Sequence, residues 1–226
     1  MIPKIIWQTY KDPFDSLPEY IVDVIQTWKD KNPDYEYKYM SDDDAKIFIY
    51  ENFGQEWLDI FNSYPLGVMR GDLWRYMILY IYGGIYIDID TICKIKIDDW
   101  VNKDKELIIS LDEDGSNFAQ LAFASIPKHP TLKIVLDLIK SRSKINPYPQ
   151  NEYVDTVTGV KVWTDAIKLG IEKNHSIYCY DDPMFFHNKV LIHLVGSKNW
   201  KDGQYVRWQK EIKLLNNIDI DKSKGI

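Results

Sequence analysis

YGGIYIDIDT, residues 82–91, decides the reading of this chain. Two glycines end an apolar helical run, an apolar strand follows, and that strand carries two aspartates, Asp88 and Asp90. Side chains alternate faces along a strand, so Ile85, Ile87 and Ile89 are expected on one side and Tyr86, Asp88 and Asp90 on the other. That spacing puts the two carboxylates about 7 Å apart at Cα. Aspartate is depleted in strands, and two unpaired like charges are expensive to bury. A cation between them, or a polar cleft at the strand's end, removes the conflict. Ligands of α/β proteins sit at the open ends of parallel strands. A hard divalent cation carrying a diphosphate meets every one of these constraints.

Outward from this stretch, the chain alternates strands and helices. LGVMRGDLWRYMILYIYGG reads as a strong helix with Gly83-Gly84 as its stop. Upstream, Pro3 to Tyr10 reads as a first strand, and IVDVIQTWKDKNP as a helix ended by Asn32-Pro33. Tyr35 to Met40 alternates as a half-buried strand does. Ser41 then caps SDDDAKIFIYENFG, a helix with acidic residues in its first turn and Gly54 after its last. Downstream, LIISLDED and QLAFASIP follow, with a helix from His129-Pro130, a loop KINPYPQNEY, a helix WTDAIKLGIEKN and a late strand KVLIHLVG. The pattern predicts an α/β fold with a mostly parallel central sheet. With no repeat or linker, a single domain is expected over 1–226: a first half to residue 115, a second over 116–210, and a polar tail over 211–226.

Composition narrows the partners. The 226 residues are 45% hydrophobic, with sixteen Tyr, eight Trp and eight Phe, the residues that grip sugars and bases and equally fill aromatic cores. A net charge of -6 without a basic stripe argues against nucleic acid. No apolar run is long enough for a membrane span or forms a signal peptide. Cys93 and Cys179 show no metal-type spacing and read as buried thiols. A soluble, cytoplasmic protein is expected, and its richness in Ile, Lys, Asn, Asp and Tyr suggests a bacterial or large-virus source with an AT-rich genome.

Asp-x-Asp alone serves several chemistries. A calcium loop of the EF-hand type fails, because Cys93 and Asp99 stand where glycine and glutamate are required. A haloacid-dehalogenase-type phosphohydrolase would use Asp88 as nucleophile and Asp90 as acid/base, but Thr91-Ile92 follows where that family has Gly-Thr. A non-catalytic module that binds sugar nucleotides is a third reading. Beyond the pair itself, the chain resembles the family 32 glycosyltransferases. IPKIIWQTY is similar to the family's opening strand, and WKDKNPDYEYKYMSDDDA to its second strand and helix. RGDLWRYMILYIYGGIYIDIDT is close to its Arg-x-Asp-x-x-Arg-Tyr…Gly-Gly-x-Tyr-x-Asp-x-Asp signature. QLAFASIPKHP and IHLVGSKNW resemble two later segments.

The resemblance implies a GT-A fold, one Rossmann-like layer binding a nucleoside-diphosphate sugar (UDP ahead of GDP) with Mn²⁺ or Mg²⁺. It implies transfer of a hexose or N-acetylhexosamine, with retention, to a glycan, lipid-linked or protein-linked acceptor. Asp90 would be the direct metal ligand, with Asp88 reaching both metal and ribose, and His193 a third ligand. Ser197 and Trp200 would close over the diphosphate. Asp72 and Arg75, three apart on one helical face, would present to the donor hexose, and Arg75 would also meet the leaving charge. Gln120 stands where the family often has Asn and is expected near the anomeric carbon. Trp7, Gln8, Thr9, Arg70 and Tyr86 are expected on the donor side, with Trp7 either stacking on the base or filling the core. Thr164 and Asp165 are expected toward the acceptor.

Overall fold

Period-two alternation builds the sheet as expected. Along β3 (Gly84–Ile87), Tyr86 enters one apolar cluster while Ile85 and Ile87 enter another on the opposite face. The computed structural model describes residues 1–64, 66–102, 104–144, 150–183 and 185–194. It divides into two compact units, Met1–Ile192 and His193–Ile226, and nearly all of the second lies outside the described residues.

Before β3 the order is β1 (Ile5–Thr9), α1 (Glu19–Lys31), β2 (Glu36–Met40), α2 (Asp42–Phe53), α3 (Gln55–Ser63) and α4 (Gly67–Tyr82). After it come β4 (Thr91–Cys93), β5 (Leu107–Ser110), β6 (Ala122–Ser125) and α5 (Pro130–Arg142). The described chain ends with α6 (Gln150–Val157), α7 (Val160–Glu172), β7 (Ile177–Tyr180) and β8 (Leu191–His193). Six strands form one sheet in the order β2-β1-β3-β6-β5-β7. Only β6 runs against its neighbours; β1 pairs parallel with β2 and β3, and β5 parallel with β7. A short second sheet joins β4 and β8.

One face of the main sheet is covered by α2, α4, α5 and α7, whose Leu73, Leu79, Leu136 and Trp163 are fully out of solvent or nearly so. The other face is closed by α1 through Trp28 and by the segment around Ile97 and Trp100. The helix caps match the sequence signals: Ser41 and Asp44 form a capping box at α2, and His129 accepts from the Thr131 amide at the start of α5. Several elements are unforeseen, the strands β4 and β7 among them. The stretch QEWLDIFNS forms α3, and Gln150 to Tyr153, expected in a loop, opens α6.

Gly83 ends α4 at φ 65, and a Cβ there would meet Pro127 at 2.7 Å and the Ser125 carbonyl at 2.8 Å. Both the backbone sign and the space exclude a side chain, so Gly83→Ala is expected to cost about 2 kcal/mol or more. Denaturant unfolding checks this, and a wild-type midpoint would contradict it.

The strand that carries the motif is shorter than the pattern predicts. β3 stops at Ile87, and Asp88, Ile89 and Asp90 form a turn, so Tyr86 and the two aspartates do not share a strand face. The Asp88 amide still donates to the Leu121 carbonyl at 2.7 Å. The Thr91 hydroxyl then donates back to the Asp88 carbonyl at 2.6 Å and closes the turn. Ile89 leaves the sheet's face for a third apolar cluster with Leu17, Ile21 and Ile25, ringed by Tyr10, Tyr20, Tyr37 and Tyr39. Burying Ile89 there turns both neighbouring carboxylates toward water, and each is only half-buried.

Candidate active site at the carboxyl edge of the sheet

Topology brings the motif residues to one edge. β1, β2 and β3 run parallel, so their C-terminal ends lie together, and Asp88 follows directly on β3. β6 runs the opposite way with Ala122 opposite Ile87, so its lead-in residue Gln120 reaches the same edge. α4 ends in the Gly83 turn that starts β3, and Asp72 and Arg75 on its earlier turns come back to Asp88.

Arg75 is the centre of this cluster. Its Nη2 lies 3.0 Å from Asp72 Oδ1 and 3.4 Å from Asp88 Oδ1, and its Nη1 donates to the Gln120 carbonyl at 3.2 Å. The guanidinium lies over the Tyr86 ring, 4.7 Å from its centroid. The Tyr86 hydroxyl donates to Asp88 Oδ1 at 2.5 Å. This is not a solvated helical ion pair: the Asp72 and Arg75 side chains are 4% and 8% exposed. Burial pushes the Asp72 carboxyl up to about 6, against the opposing pull of Arg75 and of the Thr158 hydroxyl. Burial also opposes the Arg75 charge, yet Tyr86, Asp88 and Asp72 outweigh it and hold the guanidinium ionised. The Tyr86 phenol is raised well above its ordinary value, first by burial, and so stays a neutral donor. One cation thus serves two carboxylates. Arg75 Nε is buried with no partner among the described residues.

Around this centre, Gln8 is fully buried; its Nε2 donates to the Asp88 carbonyl at 3.2 Å and its Oε1 accepts from Tyr37 at 2.9 Å. Gln8 therefore holds the turn in place from below. Gln120 donates through Nε2 to the Tyr76 hydroxyl and to the Thr158 carbonyl at 3.3 Å. Tyr20 lies near enough to feel both Tyr10 and Asp90, which add to burial in raising its phenol.

Other expected residues have structural partners of their own. Trp7 is 4% exposed, donates to the Gly83 carbonyl at 2.9 Å and stacks on Tyr82, so it packs as a core residue. Thr9 donates to the Met40 carbonyl at 2.8 Å, joining β1 to β2. Arg70 pairs with Asp42 at 2.8 Å and donates to the Tyr64 carbonyl, fastening α4 to α2. Thr164 is buried and accepts from the Phe118 amide, tying α7 to the segment before β6, while Asp165 pairs with Arg142 at 2.6 Å and joins α7 to α5. The His193 side chain, Ser197 and Trp200 lie outside the described residues. Sequence reasoning passed over Tyr37, Tyr76 and Thr158. Tyr76 closes the Arg-x-Asp-x-x-Arg-Tyr signature, which assigns it no role, and the parts of Tyr37 and Thr158 show only as hydrogen bonds made across the fold.

No group of three His, Cys, Asp or Glu able to hold a metal occurs among the described residues. The donor set that is described, two half-exposed carboxylates two residues apart in a pinned turn, suits a hard divalent cation that keeps ligand positions for phosphate oxygens. No described helix is long and apolar enough to cross a membrane.

Residues 18–107 match the family model described as the glycosyltransferase sugar-binding region containing the DXD motif. The chain is 31% identical over 192 residues to an initiation-specific alpha-1,6-mannosyltransferase of Schizosaccharomyces pombe, covering 74% of this chain and 48% of that one. It is 36% identical over 215 residues to a mannosyl phosphorylinositol ceramide synthase of Saccharomyces cerevisiae, covering 88% and 52%. The chain thus spans about half the length of these curated relatives. Among solved structures, the PaToxG glycosyltransferase superposes with a TM-score of 0.53 at 18% identity, over 76% of this chain and 70% of that one. The UDP-bound glycosyltransferase domain of the YGT toxin superposes at 0.58 with 9% identity, over 80% of each. At such identities these likenesses speak for the fold alone. Residues 18–107 thus carry a DXD-containing glycosyltransferase sugar-binding region, the chain as a whole is similar to mannosyltransferases, and its α/β architecture is a GT-A fold.

Proposed function

We propose that the chain transfers a hexose from a nucleoside-diphosphate sugar to a hydroxyl of a glycan, lipid-linked or protein-linked acceptor. The observation that carries this reading is the Asp88–Asp90 turn at the open edge of the sheet, backed by Arg75 between Asp72 and Asp88. The two relatives named for mannosyl transfer make mannose the first sugar to test. UDP and GDP are the two nucleotides to test, in that order.

Asp90 and Asp88 would hold the divalent cation, Mn²⁺ or Mg²⁺, which as a Lewis acid neutralises the departing diphosphate. The chain's own residues do the rest. Tyr86 and Gln8 fix Asp88 through its carboxylate and its carbonyl. Arg75 brings a preorganised positive charge that needs no rearrangement as the bond to the leaving group lengthens. Asp72 and Gln120 line the hexose side, and the half-exposed tyrosines Tyr10 and Tyr20 flank the Asp90 side. Configuration is retained without a protein nucleophile, the leaving phosphate taking the acceptor proton on the same face.

Thermal unfolding with UDP or GDP, each with and without Mn²⁺, tests the donor site. A ligand at a hundred times its Kd adds about 2.7 kcal/mol, and a domain of this size rises by several degrees. The expected result is a shift with one nucleotide that requires the metal. A folded sample that shifts with neither would overturn the donor site.

A further inference from the structure

One buried residue touches both groups that face the donor hexose. Thr158 sits in the turn between α6 and α7 and is fully buried, so it meets no ligand itself. Its hydroxyl donates to Asp72 Oδ2 at 3.0 Å. Its carbonyl accepts from Gln120 Nε2 at 3.3 Å and from the Tyr76 hydroxyl at 3.4 Å. Asp72 belongs to α4 and Gln120 to the lead-in of β6, so a third element ties two separate ones together. The hydroxyl has a single proton. Its other acceptor, the Val154 carbonyl, is 3.5 Å away and uncharged, so the carboxylate takes the bond. Arg75 holds Asp72 Oδ1 and Thr158 holds Oδ2, which leaves the carboxylate no freedom to rotate.

The turn is itself rigid. The Thr158 and Gly159 amides both donate to the Val154 carbonyl, at 3.0 and 2.7 Å. A Cβ on Gly159 would meet Asp155 Cα at 2.8 Å, so the chain closes tightly on the residue after Thr158. Gln120 is oriented in the same way: both acceptors of its Nε2 are fixed, and the amide is turned by them.

We propose that Thr158 is a positioning residue of the donor site, setting Asp72 through its hydroxyl and Gln120 through its carbonyl so that both meet the hexose of the bound nucleotide sugar. The proposal rests on the donor-site reading above and names what aligns it. It predicts a defect confined to the sugar, because neither Asp72 nor Gln120 is assigned to the diphosphate or the base.

The test compares the wild type with Thr158→Val, which keeps the shape and the carbonyl, and with Thr158→Ser, which keeps the hydroxyl. Thr158→Ala deletes the same hydroxyl without adding a methyl group and serves if the valine variant does not fold. GDP-mannose and UDP-glucose are the probes, with donor hydrolysis read as released nucleoside diphosphate, alongside the affinity for UDP and GDP alone. The expected loss in kcat/KM for Thr158→Val is about tenfold to a hundredfold, that of one hydrogen bond to a charged group. Affinity for the bare nucleotide should stay within about twofold, and Thr158→Ser should recover most of the rate. An active wild type with an equally active Thr158→Val overturns the proposal alone. So does an equal loss of bare-nucleotide affinity that serine fails to restore, since that pattern marks general loosening. A wild type that neither binds nor hydrolyses either probe overturns the donor-site reading, and this proposal with it.

Discussion

Asp90→Asn is expected to abolish sugar transfer while the protein stays folded. The turn that carries Asp90 is built by other atoms: Ile89 is buried against Leu17, Ile21 and Ile25, and the Thr91 hydroxyl and the Gln8 amide both hold the Asp88 carbonyl. Asparagine keeps the size of the side chain and removes only its charge. At a site that must neutralise a departing diphosphate, that charge is the property in use. A loss of about a thousandfold or more in kcat/KM is expected, equivalent to about 4 kcal/mol of transition-state stabilisation. The melting temperature should move by no more than about 2 °C, as for a half-exposed polar substitution. Asp88→Asn makes a useful contrast, because Asp88 Oδ1 also receives the Tyr86 hydroxyl and Arg75. That variant should lose stability as well as turnover. Near-normal transfer by Asp90→Asn would remove the metal assignment from this residue.

The contrast between Asp88 and Asp90 shows what sequence could and could not deliver. Periodicity and end signals located the helix that ends at Gly83, the short parallel strands and the N-cap at Ser41, because each is written in neighbouring residues. It also pointed to the carboxylate pair as the chemical centre. It misplaced the geometry of that pair, since an unbroken Ile-x-Ile-x-Ile pattern extends the strand through Ile89. The strand stops because Ile89 has a better place among α1 and its flanking segment than on the sheet, and that choice depends on contacts far away in sequence. The same limit explains Trp7. An aromatic residue in the opening strand reads equally as base platform or as core, and only its bond to the Gly83 carbonyl and its stacking on Tyr82 place it. Asp72 and Arg75 show the converse. Their spacing gave one helical face, but their near-complete burial, which separates a structural cluster from a surface ion pair, is a property of the whole fold.

Arg75→Met is expected to produce the largest loss of stability of any single change at this edge. The guanidinium stands between Asp72 and Asp88 and bonds the Gln120 carbonyl. Methionine fills much of the space and leaves a buried carboxylate at Asp72 with the Thr158 hydroxyl in place of a full positive charge. Breaking a buried pair by removing one partner costs about 3–5 kcal/mol, and for a domain of this size that lowers Tm by roughly 10 °C. The pH dependence gives the mechanism away. In the wild type, burial already pushes Asp72 up to about 6. A carboxyl whose folded pKa lies above its unfolded value binds protons more readily when folded, so it withdraws stability as pH rises from about 4 through 6. Removing Arg75 raises that carboxyl further and extends the window upward. The deficit of Arg75→Met should therefore be greatest above pH 7 and shrink toward pH 5, as Asp72 takes up a proton. Adding Asp72→Asn should recover part of the lost stability at pH 8 while transfer stays absent, because stability needs only the charge removed and transfer needs the cation itself. A deficit independent of pH, untouched by Asp72→Asn, would mean that Arg75 acts through packing alone. Arg75→Lys separates charge from geometry: one ammonium restores the balance against Asp72, but it lacks the flat fork that meets Asp72, Asp88 and Gln120 together. Lysine should then return most of the Tm and little of the turnover.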